Sequence, residues 1–141
     1  MPRWDGIDQT YVDDAVSGMV GVEDTIQVSI DGSDFAIAAG QIVGSKEIPY
    51  GCTITGVRMY SDASTTTVLD VWVDTYANYE ATVADTIVAA ANPTITAAIK
   101  SEDTTLTGWT TTLTKGSHII VNVDSNDNAT HIDLVFDIVG T

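Results

Sequence analysis

From Thr25 onward the apolar residues recur every second position, and that period restricts the chain to strands that expose one face and bury the other. In Thr25-Ile26-Gln27-Val28-Ser29-Ile30-Asp31 the even positions are apolar and the odd ones polar, and Asp31-Gly32 supplies a turn signal. Thr130 to Val139 alternates again, with Ile132, Leu134, Phe136 and Ile138 on one face and His131, Asp133 and Asp137 on the other. Ser117 to Asp124 places Ile119, Val121 and Val123 inward, between a Lys115-Gly116 turn and a polar turn over Ser125 to Ala129. In Thr67 to Thr75, Leu69, Val71 and Val73 share a face. Val68, Asp70, Trp72 and Asp74 share the other, a mixed face expected to be partly exposed. Further strands are expected over Ile42 to Ile48, ended by Pro49, over Cys52 to Ser61, and over Thr104 to Thr114 with Leu106, Trp109 and Leu113 among threonines. Gly56 marks a bulge, because the alternation slips there. Phe35 to Ile42 is Ala- and Gly-rich and ambiguous, and Tyr76 to Asn92 reads as a long ordered loop with one helical turn.

Seven to eight strands separated by turn signals predict an all-β fold, a two-sheet antiparallel sandwich of jelly-roll or immunoglobulin-like type. Periodicity does not encode strand order, so the two topologies stay open. A chain of 141 residues makes one such domain.

The first 24 residues read differently, as an N-terminal arm ahead of a domain spanning 25–141. Tyr11, Val12, Ala15, Val16, Met19 and Val20 recur at spacings of three and four, the pattern of a short amphipathic helix, which Gly18 and Gly21 weaken and end. Such a helix needs a surface to lie on. It either folds back on its own domain or docks on a neighbouring subunit, and Trp4 and Ile7 suit both. The start of the chain lacks the cationic and apolar segments of a signal peptide, so synthesis and assembly in cytoplasm are expected.

Charge narrows the partners. Twenty acidic residues against five Lys and Arg give a formal net charge of -15. A nucleic-acid binder needs cations to displace counterions from phosphate, and an anionic membrane repels this surface, so neither partner is expected.

No pattern for catalysis emerges, so the chain is read as non-enzymatic and without cofactor. There is no Gly-rich phosphate loop and no nucleophile elbow. Asp70 and Asp74 lie on one strand face, but sixteen aspartates produce such pairs by chance. His118 and His131 fall on the polar faces of their strands and read as surface histidines, brought near each other and Asp133 if those strands pair. No third ligand is in register for a metal. Asp124-Ser125-Asn126-Asp127-Asn128 reads as an Asx turn, since it lacks the Gly and Glu of a calcium loop. Cys52 is alone, in an apolar run, and reads as a buried thiol. Trp72, Tyr76, Tyr79 and Trp109 pack in the core or form a stacking platform for sugar rings.

Three runs resemble a β-domain of tailed-bacteriophage virion proteins. They are Ile48-Pro49-Tyr50-Gly51-Cys52-Thr53-Ile54-Thr55-Gly56; Val71-Trp72-Val73-Asp74-Thr75-Tyr76-Ala77-Asn78-Tyr79, followed by Thr82-Val83-Ala84-Asp85-Thr86-Ile87; and Thr104-Thr105-Leu106-Thr107-Gly108-Trp109-Thr110-Thr111-Thr112-Leu113. The likeness covers roughly Lys46 to the end. The Trp-x-Asp-x-Tyr-x-x-Tyr and Leu-Thr-Gly-Trp runs are specific for the domain but not for one role, because that family attaches it to tail fibres, head fibres and other particle parts. The resemblance implies a virion structural protein. A small, acidic chain with an arm is most similar to capsid decoration (cement) proteins, which implies the phage head surface, the major capsid protein and other virion proteins as partners, and a homotrimer. Trp4, Ile7, Tyr11, Val12, Val16 and Met19 are then the expected capsid contacts. The alternative is a receptor- or glycan-binding fibre module that uses Trp72, Tyr76, Tyr79 and Trp109.

Overall fold

A computed structural model describes residues 19–141. The arm residues Trp4, Ile7, Tyr11, Val12 and Val16, with most of the expected helix, lie outside the described residues. Met19, the remaining expected contact, is exposed at the start of the described chain.

The fold is all-β. Its strands are β1 (Glu23–Asp31), β2 (Ile42–Glu47), β3 (Cys52–Asp74), β4 (Thr94–Asp103), β5 (Thr112–Leu113), β6 (His118–Asn126) and β7 (His131–Gly140), with two short 3-10 turns over Tyr76–Asn78 and Val83–Asp85. Every pairing is antiparallel.

β3 organises the sheet. Two strands were expected in this stretch, Cys52 to Ser61 and Thr67 to Thr75; instead one 23-residue strand runs through both. Asp62 to Thr66 contain no Gly or Pro, and the β-branched Thr65 and Thr66 favour an extended backbone. β6 and β7 share one edge of this strand in succession. β7 pairs Cys52 to Ser61, and β6 pairs Thr67 to Asp74. β1 extends the sheet beyond β7, and β2 extends it beyond β6. β4 and β5 occupy the opposite edge of β3. The bulge expected at Gly56 is present as a register shift between Ile54 and Gly56. Beside it the Arg58 guanidinium forms a two-point ion pair with Asp137 on β7, its Nη2 donating to Asp137 Oδ1 at 2.8 Å.

The buried residues of both halves form one core. Val28, Ile30, Met59, Leu134 and Phe136 from the β1–β7 half join Leu69, Val71, Val121 and Val123 from the β6 half in a single cluster. The sheet therefore nearly closes on itself around a shared interior. Alternation predicted the inward faces of β1, β6 and β7 residue by residue, because each of these strands covers that interior with one face only. Cys52 is fully buried, and burial pushes its thiol pKa up.

The segment 94–114 departs from expectation. β4 was not foreseen, and the expected strand over Thr104 to Thr114 reduces to Thr112–Leu113. β4 does not alternate: Ala97 takes a positive φ of 46°, and the β3–β4 register shifts twice. In 104–111 the chain turns instead. Leu106 and Gly108 both have positive φ, and the Trp109 N–H donates to the Leu106 carbonyl at 3.1 Å, which drives Leu106 and Trp109 into the core.

Candidate functional site

Asp70, Trp72 and Asp74 alternate along the mixed face of β3, opposite Asn122, Ile120 and His118 of β6. This face was expected to be partly exposed, but Tyr76 to Ala91 folds over it. Trp72 is only 8% exposed and clusters with Ala81 and Ile120. Thr86 anchors the cover: it bridges to Trp72, and its hydroxyl donates to Asp70 Oδ1 at 2.6 Å. The Ile87 N–H donates to the Val71 carbonyl at 3.0 Å. Asp70 also accepts from the Val71 N–H at 2.9 Å, so it is committed to structure.

His118 is not a surface histidine. It is 5% exposed, because the same cover lies on it: Nε2 accepts from the Ala81 N–H at 2.9 Å, and the Tyr79 ring packs at 4.8 Å between centroids. Nor is it near His131. β6 and β7 do not pair with each other but follow one another along β3, which places His118 opposite Asp74 and His131 beyond the other end of β6, beside Asp62. His131 Nε2 and Asp133 Oδ1 are 3.1 Å apart, two residues along β7 from one another, without the strand pairing on which that proximity was expected to depend. Burial raises the pKa of Asp133, but hydrogen bonds from Ser29 and His131 outweigh it and hold the carboxyl below its usual range.

The four aromatics proposed for sugar stacking do not share a surface. Trp109 is 9% exposed, and its Nε1 donates to the Ala91 carbonyl at 2.9 Å; with Trp72 it belongs to the interior. Tyr76 and Tyr79 are 84% and 55% exposed and border a cavity of about 450 Å³ together with Glu47, Ala77, Gly116 and His118. Glu47 and His118 were not among the expected contacts. Their signal was positional: Glu47 ends β2 directly opposite His118.

Two buried side-chain nitrogens, Trp72 Nε1 and His118 Nδ1, have no hydrogen-bond partner among the described residues. An unmatched buried donor costs about 1–3 kcal/mol.

The Asp124 to Asn128 turn is bound into the fold. Asp127 Oδ1 accepts from the Thr65 hydroxyl at 2.7 Å and from the Thr66 N–H at 2.8 Å, and these bonds lower the Asp127 pKa. Asn126 Nδ2 donates to the Ile37 and Ala129 carbonyls, both at 3.0 Å. Among the described residues no group of three or more His, Cys, Asp or Glu is placed to hold a metal, and no helix is long and apolar enough to cross a membrane.

No protein-family model and no curated protein matches the chain. Solved structures do. A chain in the capsid of Ralstonia phage GP4 superposes with a TM-score of 0.57 at 15% identity, over 86% of both chains. A chain of the cyanophage Pam1 capsid asymmetric unit aligns at 16% identity over 85% of this chain and 84% of its own, with a TM-score of 0.42. At these identities the likeness concerns fold.

Proposed function

We propose that this chain is a non-enzymatic structural protein of a tailed-phage particle, fixed to the head surface as a capsid decoration (cement) protein. The observation that carries this reading is the fold likeness to a chain of the Ralstonia phage GP4 capsid, which spans nearly the whole of both molecules. The virion-type runs at Ile48–Gly56, Val71–Tyr79 and Thr104–Leu113 support it independently, because they rest on sequence alone. We read the nearly closed sheet as a two-sheet sandwich, with β1 and β7 contributing to one layer and β2 and β6 to the other. The chain then assembles as a homotrimer against the major capsid protein and other virion proteins.

In this reading the body is a rigid wedge and the arm is its anchor. Burying Trp4, Ile7, Tyr11, Val12, Val16 and Met19 across a subunit seam stabilises the assembled shell by roughly 25 cal/mol per Å² of apolar surface removed from water. A protein that binds only the assembled state shifts the equilibrium toward assembly, and symmetric repetition multiplies each modest contact.

Co-sedimentation with expanded capsids of the parent phage tests the proposal. The full chain is expected to pellet with capsids and raise the temperature at which they release DNA. A chain lacking residues 1–23 is expected to stay in the supernatant while keeping its β circular-dichroism spectrum. Failure of the full chain to bind removes the decoration role, and full occupancy by the truncated chain removes the arm as anchor.

A further inference from the structure

The first part of the cover over β3 hangs on a histidine that has to be neutral. His118 Nε2 accepts from the Ala81 N–H at 2.9 Å, so that nitrogen presents a lone pair and carries no proton. The single proton of the neutral ring sits on Nδ1, which is buried and has no acceptor among the described residues. A second proton can enter only at Nε2, where it points at the Ala81 N–H. An imidazolium has two donors and no acceptor. Under the closed cover it would hold a charge at a side chain only 5% exposed, with neither N–H matched. The Ala81 N–H would lose its acceptor too, in a residue 3% exposed.

The groups around the ring do not offset this. Glu47 from β2 and Asp74 from β3 stand opposite His118 in the ladder, and Tyr79 packs on it from the cover. Glu80 and Asp85 are the acidic residues of the cover, and Lys115 lies in the turn before β6. The carboxylates attract an imidazolium, but none accepts from the ring. Asp74 Oδ1 takes the Thr75 N–H at 2.7 Å and the Asn78 side-chain amide at 3.3 Å, and Asp85 Oδ2 takes the Thr82 N–H at 2.8 Å. Attraction between charges that water still reaches is screened, and it is weak beside two unmatched buried donors. In water an imidazole takes its second proton near pH 6.5. Lifting the cover lets both ring nitrogens reach water, so acid favours the lifted state.

We propose that His118 is an acid-sensitive latch, whose protonation releases Tyr76 to Asp85 from the outer face of β3. Ala81 leaves its cluster with Trp72 and Ile120, and that apolar pair is uncovered. The second part of the cover stays in place, because Thr86 is fastened to Asp70 and Ile87 to Val71 without a histidine. The latch lies on the body of the protein and acts independently of attachment through the arm.

The test is amide hydrogen exchange, read by NMR on the full isotope-labelled chain from about pH 7.5 to about pH 5 and expressed as protection factors, which remove the intrinsic pH dependence of exchange. Ala81 protection is expected to fall by about tenfold for each pH unit below about 6.5, the dependence for one proton taken up on opening. Ile87 and Leu134 are expected to keep theirs. His118→Gln supplies an amide oxygen that accepts from the Ala81 N–H at every pH, and it is expected to flatten the Ala81 dependence. His131→Gln removes the other histidine and is expected to leave that dependence intact. Constant Ala81 protection in the parent overturns the proposal, as does a His118 ring that titrates while Ala81 stays protected. A fall shared by Leu134, a fall that persists in His118→Gln, or one abolished by His131→Gln overturns it equally. Should His118→Gln lose its β circular-dichroism spectrum, the parent and His131→Gln chains decide.

Discussion

The Asp62 carboxylate grips Thr130 twice, accepting from its backbone N–H at 3.0 Å and from its hydroxyl at 2.5 Å. It also accepts from the His131 N–H at 3.0 Å. Asp62 lies on the stretch of β3 where pairing with β7 has ended at Ser61 and pairing with β6 has not begun at Thr67. The carboxylate takes the place of the missing ladder partner and fixes the β6–β7 connection to the strand it must follow.

Those bonds, the Thr130 hydroxyl first, pull the Asp62 pKa down to about 2. A carboxyl whose pKa is lower folded than unfolded contributes stability above the unfolded value, near 4, and loses it as pH falls through the folded value. The midpoint of urea unfolding is therefore expected to fall between about pH 4 and pH 2. Asp62→Asn is expected to flatten that dependence while lowering stability at pH 7. An unchanged acid limb in the variant refutes the assignment.

Thr65 is a second polar tie in the same gap. Its buried hydroxyl donates to Asp127 Oδ1 at 2.7 Å and accepts from the N–H groups of Asn128 and Ala129 at 3.1 and 3.3 Å. Thr65→Val keeps the shape and β propensity but strands these partners, so a loss of about 1–3 kcal/mol is expected in denaturant unfolding. Thr65→Ser retains the hydroxyl and is expected to recover most of it. A valine variant as stable as the parent shows that the network contributes nothing net.

What the sequence made legible follows from which faces are covered. β1 and β7 bury one face against a common interior, so Ile26, Val28, Ile30 and Ile132 to Ile138 are readable from period two alone. The outer face of β3 was misread because Trp72 and Ile120 are covered by Tyr76 to Ala91, a contact that no local pattern encodes. His118 was misread for the same reason. Its neighbours Asp74 and Glu47 come from strands 44 and 71 positions away, and only the register brings them together.

β4 escaped notice because it buries so little. Of its ten residues Ile95 alone is fully buried, and the rest of the strand is exposed or half-buried at an outer edge. That makes Ile95 the pin that holds the strand. Ile95→Ala is expected to cost about 2–5 kcal/mol, the range for emptying a buried aliphatic site, whereas the exposed Tyr76→Ala is expected to stay within about 0.5 kcal/mol of the parent. Equal thermal midpoints for the two variants contradict this account of the edge.

Gly140 fixes the path of Met19 to Val22 across the end of β7. A Cβ built there lies 1.5 Å from the Met19 carbonyl oxygen, so the backbone of Met19 passes directly over this position, and no side-chain rotamer relieves the clash. The crossing is fastened by two backbone bonds: the Gly21 N–H donates to the Gly140 carbonyl at 2.7 Å, and the Gly140 N–H donates to the Val22 carbonyl at 2.9 Å. Gly140→Ala must push Met19 to Gly21 away and break the first of these, while Ile138 and the core inward of it keep their contacts. Hydrogen exchange separates the two consequences. The Gly21 amide is expected to lose protection in the variant, and the amides of Val28 and Leu134 are expected to keep theirs. If the arm anchors the chain to a capsid, misdirecting its first described residues lowers capsid occupancy without unfolding the body. A variant that exchanges at Gly21 like the parent shows instead that Met19 yields without releasing the clamp.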